Sequence, residues 1–243
     1  MSKERNGFEV DSGKAAGNCS LPAVITVLTR LLLLLVITFG ATFSRAEDRS
    51  KIDPNTEKIL VTIGGINFDI PLGYFYEKTI WTKGEWPVPN KERTDKKGSL
   101  ILVAHMDGMK PWSSRLDADF ASGNTRTTRI TMTGDFHPKW LENFMASRVS
   151  SLTESPVGPK LPGLTAYVST YAPSETVYLN EMPPRKPYFR IVCNDGRFSV
   201  MCKVAFDYRK TVRIQYLLPV SRLSDWKAVH ADIVALLDNI STK

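Results

Sequence analysis

The chain has 243 residues, 42% hydrophobic, 23% charged and 10% aromatic, which is enough apolar content for a packed core and excludes a wholly disordered or low-complexity polymer. Its 32 Lys and Arg against 25 Asp and Glu give a net charge of +7. Lys3, Arg5, Lys14, Arg30 and Arg45 against Glu4, Glu9 and Asp11 put +2 of that in the first 46 residues and leave +5 for residues 47–243; an excess this diffuse lacks the concentrated basic face of a nucleic-acid binder, so no nucleic-acid partner is expected.

The first element is an apolar run of thirteen uncharged residues, Leu31 to Phe43, preceded by Arg30 and followed by Ser44, Arg45 and Ala46. As a helix it would cover only about 20 Å, short of a hydrocarbon core about 30 Å thick, and it has the length of a signal-peptide apolar core. Ser44 and Ala46 supply the small residues a signal peptidase reads, which predicts cleavage between Ala46 and Glu47 and a leader over 1–46. The competing reading extends the run back to Leu21 as an uncleaved anchor in the inner membrane. It buries Arg30 near mid-membrane at a cost of about 2.5–3.5 kcal/mol. The stretch before the apolar run is long for a leader, and a start at Val24 or Val27 would shorten it. Either way the basic residues hold the N-terminus in the cytoplasm and place residues 47–243 outside it. The location expected is the periplasm, with the membrane touched only through an uncleaved N-terminus.

A polar linker over 47–57 leads into a single domain over 58–243. It opens with KILVTIGGINFDI, residues 58–70, where apolar residues alternate on both sides of Gly64-Gly65; the pair supplies the positive φ angles of a tight hairpin turn. Pro71 cannot donate to a ladder, so the second strand stops there. Residues 77–98 carry Pro87, Pro89 and many charges and read as a long exposed loop with a short strand around Ile80 and Trp81. Alternation then predicts strands over 100–104, 129–133, 165–170, 175–179, 188–193, 199–206 and 211–217. A helix is predicted over 138–152, with Trp140, Leu141, Phe144 and Val149 on its apolar side. The Pro-rich stretches 155–163 and 182–187 read as connectors inside the domain, because neither side alone carries a complete core.

Cys193 and Cys202 flank Asp195-Gly196 in a predicted hairpin, and export permits a disulfide between them. Register decides it. A two-residue Asp-Gly loop would set the thiols about 13 Å apart along the ladder, whereas a four-residue loop at Gly196–Ser199 pairs Cys193 directly with Cys202; otherwise both pack as small buried hydrophobes. The last element is a helix beginning at Ser224 as N-cap, with Trp226, Val229, Ile233, Leu237 and Ile240 at spacings of three and four on the core face, and Lys227, Asp232 and Asp238 facing water. The whole reads as an α+β domain: a mostly antiparallel sheet of about 7–9 strands with two main helices, one of them C-terminal.

Chemistry-bearing motifs are sparse. There is no G-x-S-x-G elbow, phosphate-cradling glycine loop, H-E-x-x-H or paired C-x-x-C, and only three histidines. His230 reads as a boundary or surface residue of the last helix and His137 as a structural or capping residue at a helix start. The best enzymatic grouping is His105 and Asp107 at a strand end, followed by Asp117 and Asp119. These are suitable ligands for a divalent metal that activates water, but Asp107-Gly108 is also an ordinary turn and Asp117-x-Asp119 an ordinary solvated loop. Binding has more candidates. Trp81, Trp86, Arg93, Trp112 and Arg115 lie in loops, and Trp and Arg are the types that dominate interface hot spots; against that, each Trp can fold back as core.

The leader, then the run Val61-Thr62-Ile63-Gly64-Gly65-Ile66-Asn67-Phe68-Asp69-Ile70-Pro71-Leu72-Gly73-Tyr74, then an antiparallel α+β domain ending in a Trp-containing helix, resembles small periplasmic proteins of Gram-negative bacteria, among them immunity proteins of type VI secretion effectors. The resemblance implies a non-catalytic binding protein that occludes a secreted toxin acting in the envelope, such as a phospholipase or peptidoglycan hydrolase. It implies no cofactor and no catalytic residue. Lys and Arg of the 77–98 loop would then meet an acidic patch on the toxin. The alternatives are a metal-dependent envelope hydrolase using His105 and Asp107, and a membrane-anchored structural subunit of an envelope machine.

Overall fold

The chain divides into two units, Met1–Asp48 and Arg49–Lys243. The computed structural model describes residues 52–77, 85–134, 151–155, 159–180, 189–194 and 200–242, all in the second unit. The leader with Ala46 and Glu47, the short strand expected at Ile80 and Trp81, and the helix expected over 138–152 up to residue 150 lie outside the described residues. Among those described, no helix is long and apolar enough to cross a membrane.

The domain begins as its glycine pair dictates. Strands β1 (Lys58–Ile63) and β2 (Ile66–Pro71) pair antiparallel in the register Ile63↔Ile66, and Gly64 and Gly65 make the two-residue turn at φ +55° and +76°. Gly64 is fixed twice, since a Cβ built on it would lie 2.4 Å from the carbonyl oxygen of Thr211. The 77–98 segment is not all loop. Its residues Thr94–Asp95 form β3, parallel to β1, so the hairpin grows into a four-stranded sheet in the order β12-β2-β1-β3, with β12 (Ser241–Thr242) contributed by the end of the chain. Single-strand alternation carries no sign of this second sheet, because two of its members are only two residues long.

The larger sheet has eight strands, all antiparallel: β4 (Ser99–His105), β5 (Thr127–Thr133), β6 (Leu152–Glu154), β7 (Thr165–Ser169), β8 (Ala172–Leu179), β9 (Phe189–Asn194), β10 (Met201–Tyr208) and β11 (Val212–Pro219), in the order β4-β5-β11-β10-β9-β8-β7-β6. The seven strands read from alternation are all present within a few residues. β6 corrects the helix expected over 138–152 at its end, since Leu152 belongs to a strand. Where the long ladder β10–β11 runs, inward positions such as Val204, Ile214 and Leu218 are buried, and Arg213 stands opposite Asp207 at 2.6 Å.

Between β4 and β5 the Asp117-x-Asp119 stretch, for which a solvated loop is one reading, instead opens helix α1 (Asp117–Ser122), entered through a 3-10 turn at Ser114–Leu116 and closed by Gly123 at φ +55°. Phe120, buried, gives this short helix its inward face.

Helix α2 (Trp226–Ile240) has the predicted stripe: Trp226, Val229, Ile233, Leu237 and Ile240 are buried, joined by Leu236, while Lys227, Asp232 and Asp238 are exposed. Each such apolar side chain is worth about 1.5–3 kcal/mol relative to exposure. The expected Ser224 cap is corrected. A 3-10 turn over Val220–Asp225 precedes the helix, Asp225 holds the cap position, and the Ser224 hydroxyl is within 3.3 Å of the Asp225 carboxylate rather than on a helix amide.

The Cys193–Cys202 disulfide is formed. β9 and β10 pair in the register Cys193↔Cys202, with a Cα separation of 4.3 Å, so the direct pairing of the two expected registers holds. Such closely spaced facing residues are what a bridge across an antiparallel ladder requires.

Candidate aromatic binding site

The most concentrated surface feature grows out of the first hairpin. Pro71 ends β2 and the chain tightens into a 3-10 turn over Leu72–Phe75, all four residues buried. Gly73 is where another segment comes close: a Cβ there would lie 2.9 Å from Cβ of Pro111, and the Gly73 carbonyl accepts the Trp112 N–H at 3.0 Å. One turn residue on, the buried Tyr74 hydroxyl donates to the Met109 carbonyl at 2.8 Å, and burial pushes its pKa up to about 12. The segment after β4 is folded to meet these partners. His105 and Lys110 exchange backbone hydrogen bonds around a tight loop in which Gly108 and Met109 both take positive φ.

That docking sets Trp112 against Tyr76. The two rings stack with centroids 6.2 Å apart and planes at 14°; Trp86 lies 5.1 Å from Trp112 and 6.4 Å from Tyr76, and Phe120 of α1 meets Tyr76 edge-on at 5.0 Å. Trp86 arrives on the extended segment 85–90, whose end is pinned by Asn90. Its side-chain amide accepts the Leu60 N–H at 2.7 Å and donates to the Leu60 carbonyl at 2.8 Å, standing in for a peptide unit beside β1.

One carboxylate closes the cluster. Oδ1 of Asp117 accepts the Trp112 indole N–H at 2.8 Å and the Tyr76 hydroxyl at 3.4 Å. The Tyr76 hydroxyl is held above its ordinary pKa by burial first and by the Asp117 charge and hydrogen bond after it. Phe120 and Tyr76 form the buried floor, Trp86 and Trp112 are half-buried, and Asp117 is exposed. The result is an apolar, rigidly held surface with a charged edge, the build of an interface hot spot.

Of the binding residues expected from sequence, Trp86 and Trp112 come together here, and Arg115 is exposed in the 3-10 turn that leads into α1. Trp81 lies outside the described residues. Arg93 is used by the fold: its guanidinium donates to the Val61 and Phe68 carbonyls and pairs with Asp69 at 2.6 Å, strapping the hairpin. Tyr76 and Phe120 complete the cluster unannounced, and Asp117, read from the sequence as a candidate metal ligand, enters it as the acceptor of the Trp112 and Tyr76 hydrogen bonds.

The His105 grouping is occupied by its own hydrogen bonds. His105 is buried, its Nδ1 accepts the Asp107 N–H at 3.3 Å, and its Nε2 therefore carries the proton toward Oδ2 of Asp119 at 3.1 Å. Asp119 is held below the usual carboxylate range, chiefly by the Asn124 amide, with His105 and Arg126 adding to it. The exposed Asp107 faces Arg222 at 3.7 Å. Among the described residues no three His, Cys, Asp or Glu gather as a metal-binding group.

No family model matches the chain, and no curated protein does. Two solved structures are similar to it. The iron-regulated outer membrane lipoprotein FrpD of Neisseria meningitidis aligns over 77% of this chain and 93% of its own, at 13% identity and a TM-score of 0.50, a likeness of fold alone. An immunity protein of the Stenotrophomonas maltophilia type IV secretion system aligns over 77% of this chain and 94% of its own, at 16% identity and a TM-score of 0.46.

Proposed function

We propose that the chain is an exported, non-catalytic binding protein of the immunity type, which occludes a secreted antibacterial effector acting in the envelope. The observation that carries this reading is the preformed cluster of Tyr76, Trp86 and Trp112 around Asp117. Large rigid aromatic rings already locked by hydrogen bonds lose little side-chain freedom on binding, which favours a protein partner over a small substrate. Export rests on the apolar run at 31–43 and the Ala46–Glu47 junction, and the bridged cysteines suit an oxidising compartment. The metal-hydrolase reading has less support, since both ring nitrogens of His105 are engaged within the fold.

The test is capture and protection. The mature domain, immobilised, should retain one protein from envelope extracts of toxin-bearing sibling strains, and a strain deleted for this chain should die in contact with those siblings. Recovery of no protein partner together with unchanged survival overturns the reading.

A further inference from the structure

Asp117 stands apart from several other carboxylates of the domain. Asp69, Asp119, Asp207 and Asp238 each face an arginine of this chain, at 2.6, 3.5, 2.6 and 3.0 Å. Among the described residues Asp117 faces none. Its hydrogen bonds come instead from two aromatic donors, both on Oδ1, the Trp112 indole N–H at 2.8 Å and the Tyr76 hydroxyl at 3.4 Å. Oδ2 is left with its acceptor capacity and with its direction already set, because the other oxygen is held from two sides. The residue is exposed, the half-buried Trp112 indole stands beside it, and the Trp86 ring packs on Trp112 at 5.1 Å.

A fixed, uncompensated carboxylate at the edge of indole rings has one well-defined chemical complement. A guanidinium is planar, lies against aromatic faces, and donates N–H groups to a carboxylate within the same plane. An apolar partner residue would cover Asp117 and leave its charge desolvated without compensation, and an acidic one would add repulsion. We infer that this surface reads an arginine of the partner protein, laid along Trp86 and Trp112 with its charge on Oδ2 of Asp117. The inference deepens the proposed function and rests on it for the partner's being a protein. It adds a basic anchor to a partner surface that the lysines of the 91–97 segment would otherwise select for acidic groups, so the partner carries both signs in a fixed order. Two opposite charge requirements on one partner reject competitors that satisfy only one.

Two experiments test it. In the first, the 15N-labelled full chain is titrated with acetyl-Gly-Arg-Gly-amide while the indole N–H resonance of Trp112 is followed, assigned through Trp112→Phe. A saturable shift is expected that weakens as salt is raised, is absent in Asp117→Asn, and is absent with the citrulline peptide, which keeps the shape without the charge. Lack of a saturable shift, or an equal one with citrulline, overturns the inference. In the second, Asp117→Asn, which keeps an oxygen to accept the Trp112 indole N–H, is measured against the captured partner. A loss of about tenfold in affinity is expected, with the urea midpoint unchanged. Undiminished affinity would sink the arginine anchor and leave the immunity reading standing; failure to capture any partner together with unchanged survival removes that reading, and the peptide titration then decides the anchor alone.

Discussion

Gly64 and Gly65 sit side by side at positive φ, yet they carry different demands. A Cβ on Gly65 meets nothing within 4 Å, so Gly65→Ala costs only the left-handed conformation, about 1 kcal/mol. A Cβ on Gly64 would sit 2.4 Å from the Thr211 carbonyl oxygen, and backbone cannot yield as a flexible side chain would. Gly64→Ala should therefore cost at least about 2 kcal/mol more than its neighbour, read as the difference in urea midpoints at constant slope. Equal losses would show that the hairpin tip does not pack on the β10–β11 turn. Gly73 belongs to the same kind of residue, since its missing Cβ lets Pro111 and Trp112 close on the 3-10 turn. The need for a turn at Gly64-Gly65 is legible in the sequence because φ is a local property. The need for close approach at Gly73 is not, because it depends on a segment almost forty residues further along the chain.

Among the elements, the pairing of β9 with β10 and the seating of α2 on the large sheet can each be probed alone. The Cys193–Cys202 bridge closes a loop of nine residues in sequence separation, which in the chain-entropy account stabilises by about 2–3 kcal/mol. Reduction should lower the unfolding free energy by that amount, and Cys193→Ala with Cys202→Ala should make stability indifferent to reductant; a wild-type urea midpoint unmoved by reductant would contradict it. Under α2, His230 is packed by Phe206 at 4.5 Å, Phe189 at 5.0 Å, Tyr216 at 6.4 Å and Trp226 at 6.5 Å. His230 Nδ1, the Tyr216 hydroxyl and the Trp226 indole N–H are buried there without hydrogen-bond partners. Burial holds the imidazole below its ordinary pKa of 6.5 and raises that of the Tyr216 phenol, so Tyr216 stays neutral throughout the range that matters. The sign follows. Below about pH 6.5 the unfolded chain takes up a proton that the folded one refuses, so stability falls with pH until the folded group also titrates, and is flat above. His230→Phe should remove that acid-side slope; its persistence in the variant would assign the slope to other groups. Alternation and helical spacing expose the strands and the α2 stripe, since each is a pattern within one element. The environment of His230 is assembled from β9, β10, β11 and α2, and a reading along the chain leaves it a boundary residue.

For the molecule as a whole, compartment and stability are coupled through the same two cysteines. The leader reading places residues 47–243 in an oxidising space, and the disulfide has its full effect only there. Made with its leader, the protein should appear in the periplasmic fraction with Glu47 at its N-terminus, shorter by the 46 residues of the leader and carrying no free thiol at Cys193 or Cys202. Made without the leader in the cytoplasm, the same domain should keep both thiols reduced and unfold at lower urea, by about 2–3 kcal/mol for the missing bridge, a large share of a net stability of about 5–15 kcal/mol. Intact mass with and without alkylation reads the processing and the thiol state of the two preparations, and urea unfolding reads the difference in stability. An uncleaved N-terminus on the exported form would replace the periplasmic reading with that of a membrane anchor. Such an anchor would hold the aromatic cluster within a linker's reach of the inner membrane and restrict its partners to those that arrive there.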